Sequence, residues 1–159
     1  MIDAIILARG GSKGIPKKNL KLFCGKPLIA WTILQAKLSK KISNVYVSSD
    51  SSEILNISKK YGAKVIKRPS NISGDKAKSE SAILHALKVL GSNQKGIVML
   101  EPTAPLRSPK DLDECINMGQ QVTRNYVKRQ LTWWRSSNLE INKVFNEFPS
   151  NIDENLIKY

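Results

Sequence analysis

Short apolar runs alternate with amphipathic stretches through residues 1–118. Ile2 to Leu7 is almost wholly apolar, as a parallel strand covered on both faces must be. A Gly/Lys-rich loop, Ala8 to Asn19, follows it. Pro27 to about Lys37 reads as a helix, with Pro27 suited to the first turn and Leu28, Trp31, Ile33 and Leu34 supplying its apolar positions. Asn44 to Ser48 is a second strand. Ser51 to Tyr61 is a helix with Ile54, Leu55 and Ile57 inward, stopped by Gly62. Ala63 to Ile66 is a third strand, Lys78 to Leu90 a helix carrying Ala82, Ile83, Ala86, Leu87 and Leu90, and Gly96 to Leu100 a fourth strand. Ser108-Pro109-Lys110-Asp111 has the form of a helix start, and that helix is expected to run to about Met118.

Repeated strand–helix units of this kind define an α/β fold with a doubly wound, mostly parallel sheet and right-handed crossovers. Ligands sit at the carboxyl ends of strands in such sheets. Three polar loops fall there: Ala8 to Asn19, Ser48 to Ser51 and Glu101 to Arg107. At Gly119-Gln120-Gln121 the pattern breaks, and the chain from Thr123 to Arg135 turns basic and aromatic. The sequence thus reads as two regions, residues 1–118 as an α/β domain and 119–159 as a helical basic tail. In a helix over 122–135, Arg124, Lys128 and Arg135 share one side, opposite Val122, Tyr126 and Trp133.

Composition adds direction. The chain has 159 residues, enough for one domain with a core, and 41% are hydrophobic. The 26 Lys and Arg against 13 Asp and Glu leave a net charge of +13, which favours anionic partners such as phosphates, carboxylates or nucleic acid, or else only solvates helix ends. No stretch approaches membrane-spanning length, and the opening apolar run is short with no basic segment before it, so a cytoplasmic protein without membrane contact is expected. Cys24 and Cys115 have no metal or redox spacing and are expected to be partly buried thiols. The single histidine, His85, is expected to pack on its helix rather than to act as a base.

The loop after the first strand has phosphate-binding chemistry. Its glycines let main-chain N–H groups approach an anion, Ser12 adds a hydroxyl, Arg9 offers a forked donor, and the lysines add point charges. It has neither the Walker spacing nor the GxGxxG fingerprint.

Ile5 to Gly14 with Lys18-Asn19, then Ser48-Ser49-Asp50, Arg68-Pro69, Ser79-Glu80-Ser81 and Glu101-Pro102-Thr103-Ala104-Pro105-Leu106-Arg107, resemble in order the motifs of the acylneuraminate cytidylyltransferase family. That resemblance covers about residues 1–118. It implies a nucleotide-diphospho-sugar-transferase-like sheet, and transfer of CMP from CTP to a sialic-acid-like sugar acid with release of pyrophosphate. It implies that Arg9 and Lys18 are catalytic, that Ser12, Asn19, Arg68 and Ser79 bind CTP, and that Glu101, Thr103 and Arg107 face the sugar acid. It further implies Mg²⁺ as the companion of CTP, and a homo-oligomer. The metal ligands are unassigned: the family's metal-binding Asp pair lies in a second half that nothing after residue 119 resembles, and Asp50 and Asp75 are read as a helix-start residue and a loop acid. Where the family usually has Gln, this chain has Glu101. The alternatives are a catalytically impaired nucleotide-binding remnant and a fused fragment. The second arises because Thr123 to Arg135 is similar to the end of the tRNA dimethylallyltransferases, which implies weak tRNA contact by the tail.

Overall fold

A computed structural model describes residues 2–12, 14–74, 77–91 and 96–136, with side chains through residue 132. The chain divides into two compact units, Met1–Gln120 and Gln121–Tyr159.

The first unit is built on a four-stranded parallel sheet. Its strands are β1 (Ile2–Leu7), β4 (Ile42–Ser49), β5 (Lys64–Lys67) and β6 (Ile97–Leu100). A hairpin, β2 (Leu22–Phe23) with β3 (Lys26–Pro27), stands apart from it. The sheet order is β5-β4-β1-β6, and every pairing is parallel. Successive strands step outward from β1 to β4 to β5, and then β6 returns to the far side of β1. The reversal between β1 and β6 is where a crevice opens at the carboxyl ends of such sheets.

The period of two along β1 divides the core. Ala4, Ile6 and Ala8 join Ile29, Ile33 and Ala36 of α1 (Leu28–Leu38), Ile54 of α2 (Ser52–Lys60), and Leu112 and Ile116 of α4 (Pro109–Ser136). Ile5 and Leu7 point the other way, where Ala86 and Leu90 of α3 (Ser79–Leu90) pack with Ile66 and Ile97. Helices therefore cover both faces, which is why β1 has no polar side. Ile5, Ile6, Ile29 and Ile33 are completely buried, and each such side chain stabilises the fold by roughly 1.5–3 kcal/mol.

Several expectations need correction. Helix α1 buries Ile29, Ala30, Thr32, Ile33, Gln35 and Ala36, whereas Leu28, Trp31 and Leu34 are half-buried. Trp31 instead serves the hairpin: its Nε1 donates to the Phe23 carbonyl at 2.8 Å, its ring meets Phe23 edge-on, and the Lys26 ammonium lies 4.9 Å from its centre. Pro27 is the residue before α1 rather than a member of its first turn. The hairpin itself was not foreseen. Its two loop residues, Cys24 and Gly25, both have positive φ, as a type I′ turn requires. Cys24 and Cys115 are exposed, not partly buried, because one sits at that turn and the other on the solvent side of α4.

Helix α4 starts as the sequence indicates, with the Ser108 hydroxyl accepting from Asp111 N at 3.1 Å and the Asp111 carboxylate accepting from Ser108 N at 2.8 Å. The bond from Ser108 N foremost, together with the Ser108 hydroxyl beside the carboxylate, holds the Asp111 carboxyl below the usual carboxylate range. It does not end near Met118 but runs to Ser136. Gly119 weakens a helix by only about 1 kcal/mol relative to Ala and does not stop one unaided.

Candidate functional site

The carboxyl ends of β1, β5 and β6 surround an open cleft of about 320 Å³. Leu7 closes β1, Met99 lies in β6, and Arg68 follows β5 directly. The cleft is lined by Arg9, Ser12, Lys18 and Asn19 from the first loop, by Arg68, by Lys78 and Ser79 at the start of α3, and by Glu101, Pro102 and Thr103 after β6. All the site residues expected from the sequence, except Arg107, converge on this one cleft.

The first loop is held at its edges and open in its middle. The buried Asn19 amide donates to the Arg9 carbonyl at 3.1 Å, which draws the two ends of the loop together. Gly10 N donates to Asp50 Oδ1 at 2.9 Å. A Cβ there would lie 3.0 Å from Ser51 Cβ, so any side chain at this position would require Ser51 to give way by a few tenths of an ångström. Lys17 Nζ pairs with Glu53 of α2 at 2.8 Å. Between these ties Gly11 and Gly14 have no neighbour where a side chain would begin, so the main chain there is accessible to a ligand.

Arg68 is 6% exposed, unusual for a guanidinium, and its buried Nε has no hydrogen-bond partner. Its main-chain N donates to the Ser49 carbonyl at 2.8 Å, continuing the β4–β5 ladder. Burial lowers its pKa from the ordinary arginine value; Asp50, 4.0 Å from its Nη2, works against that, and the neighbouring Arg9 adds to it. Two cations held in mutual repulsion beside an open cleft make a site whose electrostatics improve when an anion enters. Arg9 Nη1 donates to the Gly74 carbonyl at 3.4 Å, at the far wall.

Glu101 is exposed; its Oε2 accepts from the Thr103 hydroxyl at 3.3 Å and its carbonyl from Thr32 at 3.5 Å. Pro102, next in the chain, is buried. Arg107 is half-buried elsewhere in the loop, with Nε and Nη2 lacking partners, and burial lowers its pKa while Cys115 and Asp111 act in the opposite sense. His85 is half-buried on α3, its Nδ1 buried without a partner, and does not line the cleft. Asp75 lies outside the described residues.

Sequence reasoning missed Lys78, which adds a further cation to the rim, and missed what Asp50 does. Ser51, not Asp50, caps α2, accepting from Ile54 N at 3.4 Å. Among the described residues no three His, Cys, Asp or Glu side chains converge as metal ligands. Glu101 is the one carboxylate among the described residues that line the cleft. By themselves the described lining residues do not form a Mg²⁺ cage; that ion takes six oxygens in octahedral array and usually draws most of them from water and substrate phosphates.

The second unit, where described, is helical. Arg124, Lys128 and Arg129 are exposed there, as are Val122, Tyr126, Val127 and Leu131. Trp133, Trp134 and Arg135 lie outside the described side chains. No helix among the described residues is long and apolar enough to cross a membrane.

A parallel sheet with a basic cleft at its switch point is the architecture of the nucleotidyltransferase-like proteins, and solved structures agree. The fold matches that of CMP:2-keto-3-deoxy-manno-octonic acid synthetase, solved with CTP, with a TM-score of 0.64 at 20% identity over 75% of this chain and 47% of that one. It also matches a cytidylyltransferase from Leptospira borgpetersenii, with a TM-score of 0.59 at 28% identity over 73% of this chain and 47% of that one. The profile of the Cytidylyltransferase family matches residues 4–155, and the chain belongs to that family. Similar curated proteins include N-acylneuraminate cytidylyltransferase B of Danio rerio, 35% identical over 94% of this chain and 36% of that protein. The pseudaminic acid cytidylyltransferase of Campylobacter jejuni is 44% identical over 79% of this chain and 53% of that protein. The chain thus spans about a third to a half of the length of these curated relatives. The family match runs across residue 119 and into the basic tail.

Proposed function

We propose that the cleft binds CTP and that the chain takes part in transfer of CMP to a sialic-acid-like or related nonulosonic sugar acid. The observation that carries this reading is the convergence of Arg9, Lys18 and Arg68 with an accessible glycine loop on one cleft at the β1/β6 switch point. In the reaction a sugar hydroxyl oxygen bonds to the α-phosphorus of CTP, the bond from that phosphorus to the bridging oxygen breaks, pyrophosphate leaves, and the hydroxyl proton passes to solvent or a base. Arg9 and Lys18 would offset charge growing on the phosphate oxygens, the main protein contribution to such transfers. Ser12 and Asn19 would orient the phosphates, and Arg68 and Ser79 would hold the cytidine portion. Glu101 and Thr103 would border the sugar, where the Glu101 carboxylate, opposite an acidic substrate, favours one that presents hydroxyls rather than its own carboxylate to this wall. Mg²⁺ would arrive on the triphosphate oxygens.

Pyrophosphate release from CTP, with Mg²⁺ and a panel of nonulosonic acids, tests the proposal. Release with at least one acid, absent when CTP is replaced by UTP, is the expected result. Saturable CTP binding without release would support the narrower reading of a nucleotide-binding remnant. A folded chain that neither binds CTP nor releases pyrophosphate would refute both.

A further inference from the structure

Asp50 does not line the cleft, yet it touches two of the segments that build it. It is the first residue after β4, at the centre of the β5-β4-β1 edge of the sheet. Its Oδ1 accepts from Gly10 N at 2.9 Å and lies 4.0 Å from Arg68 Nη2. Its own carbonyl accepts from Lys67 Nζ at 2.7 Å. The approach of the two chains is close enough that a Cβ on Gly10 would lie 3.6 Å from the second carboxylate oxygen as well as 3.0 Å from Ser51 Cβ. One carboxylate therefore ties the loop after β1 to the arginine after β5, and does so from behind the cleft.

We propose that Asp50 is a positioning residue for the triphosphate: it fixes Gly10, and with it the Arg9-to-Ser12 turn, and holds Arg68 against the cleft wall. This rests on the nucleotide reading of the site. The helix-start role is excluded because Ser51 caps α2. A metal-ligand role fits poorly, because Asp50 does not line the cleft and its Oδ1 is already engaged by Gly10 N and faces the Arg68 guanidinium. Asp50 partly counters the desolvation of Arg68, whose pKa nonetheless remains lowered. Removing the carboxylate would leave a nearly buried cation without that opposing charge and a loop N–H without its acceptor.

The test compares Asp50→Ala, Asp50→Asn and Gly10→Ala in the full chain by CTP calorimetry, thermal melting and amide hydrogen exchange without nucleotide. Loss of a charge-assisted hydrogen bond predicts a CTP dissociation constant about tenfold higher for Asp50→Ala, restored only in part in Asp50→Asn, whose amide oxygen still accepts from Gly10 N but brings no charge to Arg68. Gly10→Ala, which pushes the same contact apart from the other side, should match Asp50→Ala. Exchange at Gly10 should accelerate by at least about tenfold in Asp50→Ala and stay near wild type in Asp50→Asn. Unchanged CTP affinity and unchanged Gly10 exchange in Asp50→Ala would overturn the proposal. So would equal weakening by Ala and Asn accompanied by faster exchange throughout the sheet, the mark of a purely structural role. A wild-type chain that binds no CTP would remove the nucleotide reading, and the Gly10 exchange data would then still decide whether Asp50 holds the loop.

Discussion

The two units use apolar residues in opposite ways. In the first, Ile5, Ile6, Ile29 and Ile33 are fully buried between sheet and helices, and the polar groups are gathered at one end of the strands. In the described part of the second, Val122, Tyr126, Val127 and Leu131 are 48–64% exposed on a helix that also displays Arg124, Lys128 and Arg129. The difference teaches where the information for a site resides. A closed core fixes the strand ends, and the strand ends fix the cations. A helix whose described apolar side chains stay exposed offers charge without packing that would fix its geometry.

The same kind of truncation should therefore have unlike effects in the two units. Ile33→Ala is expected to destabilise the first unit by about 2–5 kcal/mol in denaturant unfolding, whereas Val122→Ala should lie within about 0.5 kcal/mol of wild type. Equal effects would break the comparison. Cation removal sharpens it. Arg68→Ala should raise the CTP dissociation constant by about tenfold to a hundredfold, the loss expected for hydrogen bonds to charged groups, while Arg124→Ala should leave it unchanged. If the tail contacts tRNA, changing Arg124, Lys128 and Arg129 together to Ala should lower the salt slope of tRNA binding by about three, with CTP affinity unaffected.

Smaller effects probe the joints of the first unit. Ser108→Ala removes the cap of α4 and should cost about 1 kcal/mol in thermal or denaturant unfolding. Asp113 accepts from the Ser39 hydroxyl and from Lys40 N and Lys41 N, and these bonds, the Ser39 one foremost, hold its carboxyl below the usual carboxylate value of 3.8. A depressed folded-state pKa stabilises above the unfolded value and ceases to do so as pH falls through the folded one. The stability gap between wild type and Asp113→Asn should thus be constant near neutral pH and close progressively below pH 3.8. Unfolding curves over that acid range check it.

Much of this was legible in the sequence for physical reasons. Strands covered on both faces announce themselves as apolar runs, so β1 and β6 emerge with nearly correct ends. The glycine and lysine content of the first loop carries its chemistry openly. Other features leave weak traces. A hairpin of two-residue strands whose Leu22 is 74% exposed has no period to detect. Gly119 looks like a helix stop because nothing local distinguishes a tolerated glycine from a terminal one. Asp50 sits in a run, Ser48 to Ser52, where several residues could cap α2, and only the position of Gly10 after β1 shows that its carboxylate is engaged elsewhere. Arg107 shares a loop with Glu101 and Thr103, but the turn at Ala104 to Arg107 takes its side chain off the cleft wall.

The central claim is that the ends of β1, β5 and β6 form one triphosphate-binding cleft. Titrating CTP into the full chain while following amide exchange at Gly10, Gly11, Ser12 and Arg68 tests it most directly. One saturable site that protects these four amides together, and is lost in an Arg9→Ala, Arg68→Ala double variant, is the predicted result. A folded chain that shows no binding heat, or that binds CTP while those amides exchange as before, would contradict it.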